Sequence, residues 1–133
     1  MILLLACAHT SDLVTLDLGS AQAHVEIADS PTERAHGLMG RKTLDADHGM
    51  LFVYPSAEPH FFWMKDTPLP LSIAFLDAQG TIIRLADMQP FDTHTTPSGG
   101  PAQYALEMEQ GWFAAHGVAE GLRVGGLPGP SEQ

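Results

Sequence analysis

The chain has one cysteine, Cys7, and only six lysines and arginines against sixteen aspartates and glutamates. A single thiol excludes an internal disulfide and a thiolate metal cluster. The formal charge of -10 speaks against nucleic acid, because binding to a phosphate backbone depends on clustered Lys and Arg. Arg34, Arg41, Lys42, Lys65, Arg84 and Arg123 are scattered, which also disfavours an anionic membrane surface. The acidic residues are dispersed as well, so they read as a solvated surface rather than a cation-binding face. No G-x-S-x-G elbow, Gly-rich phosphate loop or H-E-x-x-H pattern occurs, which argues against covalent catalysis. The seven histidines are widely spaced. Only His60, beside an aromatic run, and His94, in a Thr-rich loop next to Asp92, are candidate ligands. Met64 and Met108 read as packed strand residues rather than copper ligands. No metal and no cofactor are expected.

What is present suits one modest core in a chain of 133 residues. Residues 1–12 are an apolar segment and a polar spacer, 13–125 a folded domain, and 126–133 a Gly-Pro tail expected to be disordered. Met1 to Cys7, MILLLAC, resembles the end of a bacterial lipoprotein signal: apolar residues, a small residue, then a cysteine acylated after cleavage. The stretch is too short to span a bilayer and lacks a basic n-region. It predicts an exported protein facing the periplasm or cell exterior, tethered by lipid at Cys7, with a start further upstream. The plain alternative is a short apolar tail without that role.

Alternation predicts a hairpin from Leu13–Leu18 and Ala23–Ala28. Ser30-Pro31-Thr32-Glu33 has the signature of a capping box with proline at the first helical position, so a short helix is expected at 31–37. Leu51–Tyr54 and Phe61–Met64 read as central strands, apolar on both faces. Leu71–Leu76 and Thr81–Ala86 form the clearest hairpin, with Gly80 free to take positive φ in its turn. Ala102–Met108 sets Tyr104, Leu106 and Met108 on one face and Gln103, Ala105 and Glu107 on the other. A second short helix is expected near 111–116, and a last strand around 122–124. Short strands with long loops and little helix predict a mostly-β single domain, a β-sandwich, jelly-roll-like or barrel-like.

The most informative stretch runs from Gly49 to Gly80. Trp63 and Met64 lead into Lys65-Asp66-Thr67, and Pro68 and Pro70 break the strand. GLMGRKTL at 37–44, GMLFVYP at 49–55, FWMKDTPLPLSIAFLDAQGTI at 62–82 and YALEMEQGWFAAHGV at 104–118 resemble the DUF192 family in the same order. That family typically reads GLM-x-R, GMLF-x-F, FWMKNT-x-PLDI-x-F and LE…G…G-x-x-V. The resemblance covers roughly residues 22–125 and implies a jelly-roll-like fold. It brings no established activity with it. Two positions depart from the pattern: Asp66 stands for the usual Asn, and Ser72 for the usual Asp.

An apolar strand that ends in charged residues and a proline turn puts polar groups at the rim of a packed wall, as binding clefts and ordinary strand ends both do. Lys65, Asp66, Thr67, Arg41, Trp63 and Glu107 are the candidate ligand-binding residues. In one reading Lys65 is a surface cation paired with Glu107 or another carboxylate. In the other, Arg41, Lys65 and Glu107 converge at one mouth, with Trp63 and Trp112 as apolar walls. The expected function is a non-catalytic extracytoplasmic module, monomeric, that binds a small polar ligand or a partner's segment. The alternative is a hydrolase-like enzyme using Glu107 or Asp66 as base, with Lys65 or Arg41 holding an oxyanion.

Overall fold

Both hairpins read from alternation are present in a computed structural model that describes residues 12–133. β1 (Val14–Leu18) pairs antiparallel with β2 (Ala21–Ala28). α1 (Pro31–His36) follows at the capping box: the Glu33 N–H donates to Ser30 Oγ and the Ser30 N–H to Glu33 Oε1, each at 3.2 Å. β3 (His48–Glu58) then runs parallel to β2. Parallel neighbours need a crossover, and residues 29–47, with α1 inside them, supply it. β4 (Phe61–Phe62), β5 (Leu71–Leu76), β6 (Ile82–Met88), β7 (Thr96–Pro97), β8 (Ala102–Glu109) and α2 (Trp112–Ala115) complete the order.

Six strands form one sheet in the order β1-β2-β3-β8-β5-β6. Its two edges meet the same segment. Gly125 and Asp17 exchange backbone hydrogen bonds at 2.9 Å, while Ile82 donates to Leu122 and Val124 to Gly80, also at 2.9 Å. The strand expected at 122–124 is therefore a bridging segment, and it gives the domain barrel-like closure. Leu16, Leu18, Leu51, Leu106, Met108 and Val124 pack on the inner face. Phe52, Phe62, Met64, Ile73 and Phe75 pack on the outer face, beneath the long loops.

Two expectations need correction. Phe61–Met64 is not a central strand: only Phe61–Phe62 is extended in this way, and it pairs with β7 in a separate ribbon. Phe62 and Met64 turn into the outer layer, whereas Phe61 and Trp63 are 66 % and 48 % exposed. One-sided burial, not two, accounts for the aromatic run. The Gly-Pro composition of 126–133 predicts a disordered tail, yet this stretch lies against the domain. Leu127 packs on the inner core, the Tyr104 hydroxyl donates to the Pro128 carbonyl at 2.6 Å, and the Ser131 N–H donates to the Tyr54 carbonyl at 3.2 Å. Cys7 lies outside the described residues. Among those residues, no helix is long and apolar enough to cross a membrane.

Candidate functional site

The site is built on the middle of the sheet. On β8, Glu107 stands opposite Met50 of β3 on one side and Ile73 of β5 on the other. The strands come close here because Gly49 has no side chain: a Cβ at that position would collide with the Glu107 carbonyl oxygen and with Met108 Sδ. That explains the glycine of the GMLF motif. Glu107 is 4 % exposed and has no hydrogen bond or ion pair with a side chain of the described residues. Burial pushes its carboxyl up to about 8. Water removed from a carboxylate and replaced by no partner favours the neutral acid.

Glu107 faces a cavity of about 190 Å³. Phe52 and Tyr54 of β3 form one wall, and Phe61 with the FWMKDT segment after it forms another through Phe62, Trp63, Lys65 and Thr67. The end of α1 and the GLM loop close the third side with Arg34, His36 and Leu38. Tyr54 is stacked on His60 with ring centroids 3.6 Å apart, and the Arg34 guanidinium lies 5.0 Å from the Tyr54 ring centroid. Burial raises the Tyr54 hydroxyl to about 12, and burial holds the His60 imidazole below its ordinary value.

The turn carrying Lys65 is tied down by its backbone. Thr67 donates to Met64 O at 3.2 Å, Gly40 to Asp66 O at 2.7 Å, Met64 to Asp92 O at 2.7 Å and Phe91 to Thr67 O at 3.1 Å. Thr67 Oγ1 is spent as a donor on the Lys65 carbonyl at 3.0 Å. Asp66 has φ 54, in the left-handed region that Asn and Asp tolerate best among residues with a Cβ. Among residues with a side chain, Asn and Asp suit this backbone best, which accounts for the exchange between Asp66 and the family's Asn. Lys65 is exposed, with Nζ 5.5 Å from the Trp63 ring centroid, and it forms no ion pair with Glu107.

Of the residues singled out from sequence, Lys65, Thr67, Trp63 and Glu107 line this cavity. Asp66 and Arg41 do not. Arg41 makes a two-pronged pair with Glu26, its Nη2 donating to Oε1 at 2.8 Å. Trp112 belongs to the inner core and donates from Nε1 to Asp47 Oδ1 at 2.9 Å. Ser72 is also elsewhere: it donates to Asp87 Oδ1 at 2.6 Å and accepts from the Gly111 N–H at 3.0 Å, which locks β6 and the start of α2 together. His94 is bonded to Asp92 at the surface, 2.9 Å apart. No cluster of three or more His, Cys, Asp or Glu that could hold a metal occurs among the described residues. Phe52, Tyr54, Arg34 and Leu38 escaped the sequence reading. For Phe52 and Tyr54 the signal was the alternation Met50-Phe52-Tyr54, which puts all three on one face of β3; Arg34 and Leu38 lie outside that strand and had no such signal.

The DUF192 family model, described as an uncharacterized ACR, matches residues 14–126. A crystal structure of a Sinorhizobium meliloti 1021 protein, provisionally described as a transcription regulator, is similar at 36% identity and a TM-score of 0.80, covering 86% of this chain and 92% of that one. A Novosphingobium aromaticivorans DSM 12444 protein of unknown function is similar at 31% identity and a TM-score of 0.77, covering 84% of this chain and 82% of that one. Comparison with curated proteins returns no match. The family model spans most of the sequence, and this chain belongs to the DUF192 family.

Proposed function

We propose that the domain is a binding module without catalytic activity, and that it receives a small ligand or a short segment of a partner in the cavity between the FWMKDT turn and strands β3 and β8. Glu107 carries this reading. A buried carboxyl with no partner destabilises a fold unless something else meets it, and the space in front of this one is lined with aromatic side chains. The hydrolase-like alternative takes Glu107 or Asp66 as base with Lys65 or Arg41 holding an oxyanion; a pair of carboxylates in one cleft would favour it, and Asp66 does not line the cavity beside Glu107. The regulator description of the Sinorhizobium protein would suggest nucleic acid. A charge of -10 with dispersed basic residues favours a different ligand.

A thermal-shift screen of sugars, cell-wall fragments, nucleotides and divalent metals tests the proposal. A true ligand should raise the Tm of the wild type by a few degrees. It should lose that effect in Lys65→Met, which keeps the stem and removes the charge, while the variant's own Tm stays put. Hits that persist in both Lys65→Met and Glu107→Gln would locate binding elsewhere and end this reading. We propose further that the domain is exported and held by lipid at Cys7. Equal soluble release of wild type and Cys7→Ser, expressed from an upstream start, would count against tethering.

A further inference from the structure

We propose that the group this cavity admits is a cation at the end of a flexible chain, an alkyl ammonium or guanidinium of the kind lysine and arginine carry, with Glu107 as its counter-ion. The inference deepens the binding reading and rests on it. Glu107 is the one acidic residue lining the cavity, is 4 % exposed, and has both carboxyl oxygens without a side-chain partner. An ammonium or guanidinium offers several donors at once and satisfies both oxygens, whereas a ligand with one acceptor would leave one of them bare. The walls suit a cation too. Phe52, Phe61, Phe62 and Trp63 offer aromatic rings, which attract positive charge. Size narrows the choice further, because about 190 Å³ is less than the roughly 300–1,000 Å³ of a cleft that encloses a whole small molecule. There is room for an end group, with the rest of the ligand outside, against exposed Phe61 and Trp63.

The basic groups around the cavity are accounted for. The Arg34 guanidinium is committed to the Val53 carbonyl at 3.0 Å and the Gln133 carbonyl at 2.6 Å, as well as to the Tyr54 ring. His36 and Lys65 are exposed, and Lys65 sits beside Trp63, where it can meet a carboxylate or carbonyl on the outer part of the ligand. Burial, and no neighbouring cation, is what sets the state of Glu107. A net charge of -10 draws cations toward the surface in any case.

Calorimetric titration of the full chain with lysine, arginine, cadaverine, and lysine blocked at both its amino and carboxyl ends tests the idea, with free and doubly blocked norleucine, which lack only the side-chain ammonium, as the matched controls. At least one cationic probe should bind, norleucine should bind about tenfold or more weakly, and Glu107→Gln should lose the same factor. Tight binding of blocked lysine would identify a protein segment as the source of the cation, and binding of the free amino acid or diamine alone would identify a small metabolite. Titrations at about pH 6.5 in two buffers of different ionisation enthalpy count protons on the unaltered protein. Close to one proton should leave on binding, because the free protein holds Glu107 neutral and the ion pair does not. Proton uptake, equal binding of norleucine, or failure of every cation at millimolar concentration would overturn the inference. If a neutral or anionic compound then proves to bind through Glu107, the binding module survives without the cation. If hits ignore Glu107 but need Lys65, the cation falls and the binding module survives; if they ignore both residues, both readings fall.

Discussion

The two faces of β8 are equally buried and differently finished. On the inner side, Leu106 and Met108 are 0 % exposed, and the polar end of Tyr104 has its partner in the Pro128 carbonyl. On the outer side, Gln103 donates to the Tyr54 carbonyl and Ala105 packs, but Glu107 ends at a space. One strand thus serves as core on one side and as the floor of a cavity on the other. The contrast teaches that burial alone does not identify a core position. What separates the faces is whether each buried polar group is matched.

The contrast breaks most visibly on the inner side. Leu106→Ala should cost about 2–5 kcal/mol, because it opens a hole in a closed layer. Urea unfolding would measure this, and ligand binding per folded molecule should stay unchanged. A loss under about 1 kcal/mol would mean that the inner face is as loosely packed as the outer one.

Glu107→Gln sharpens the comparison through pH. The folded-state value of Glu107, about 8, lies above the ordinary 4.5. The native chain therefore holds this proton longer than the unfolded chain does. Stability from this group is complete below about pH 4.5, declines as pH rises, and is gone above about pH 8. The decline should be on the order of a few kcal/mol in wild type and absent in Glu107→Gln, making the variant the more stable protein at alkaline pH. Parallel profiles for the two proteins would show that Glu107 is matched after all.

The smallest effect should come at the turn. Asp66→Asn should leave stability within a few tenths of a kcal/mol, and Asp66→Ala should lose about 1–2 kcal/mol, because only the first keeps a side chain suited to φ 54. If Asn and Ala behave alike, Asp66 has a role beyond its backbone.

Local signals carried much of this architecture. The capping box at Ser30 and Glu33, the turn at Gly80 and the alternation on either side of it are each set by a few neighbouring residues, and the structure has all three. Lys65, Trp63 and Thr67 could be read as cavity residues because the prolines after them end the strand. Pairing was less legible. Nothing in Ala21–Ala28 or His48–Glu58 announces that they run parallel, or that Met50 sits beside Glu107. Register across β3 and β8 decides that Glu107 meets Phe52 and Phe62 rather than water, and register is a property of two segments far apart in the chain. Arg41 shows the same blind spot: its charge was legible, but its partner, Glu26 on β2, was not.

The segment 121–125 also bears on when this protein is vulnerable. β1 and β6, the outermost strands, would each present an unfilled row of donors and acceptors to a passing chain, the usual template for aggregation. Asp17 lies in the first strand and Gly125 follows the last, so the bonds between them wait until every strand of the sheet has been made. Contacts between such distant residues also form slowly. From the emergence of β6 until 121–125 arrives, both margins stand open, and the interval most dangerous to this protein comes late in its birth.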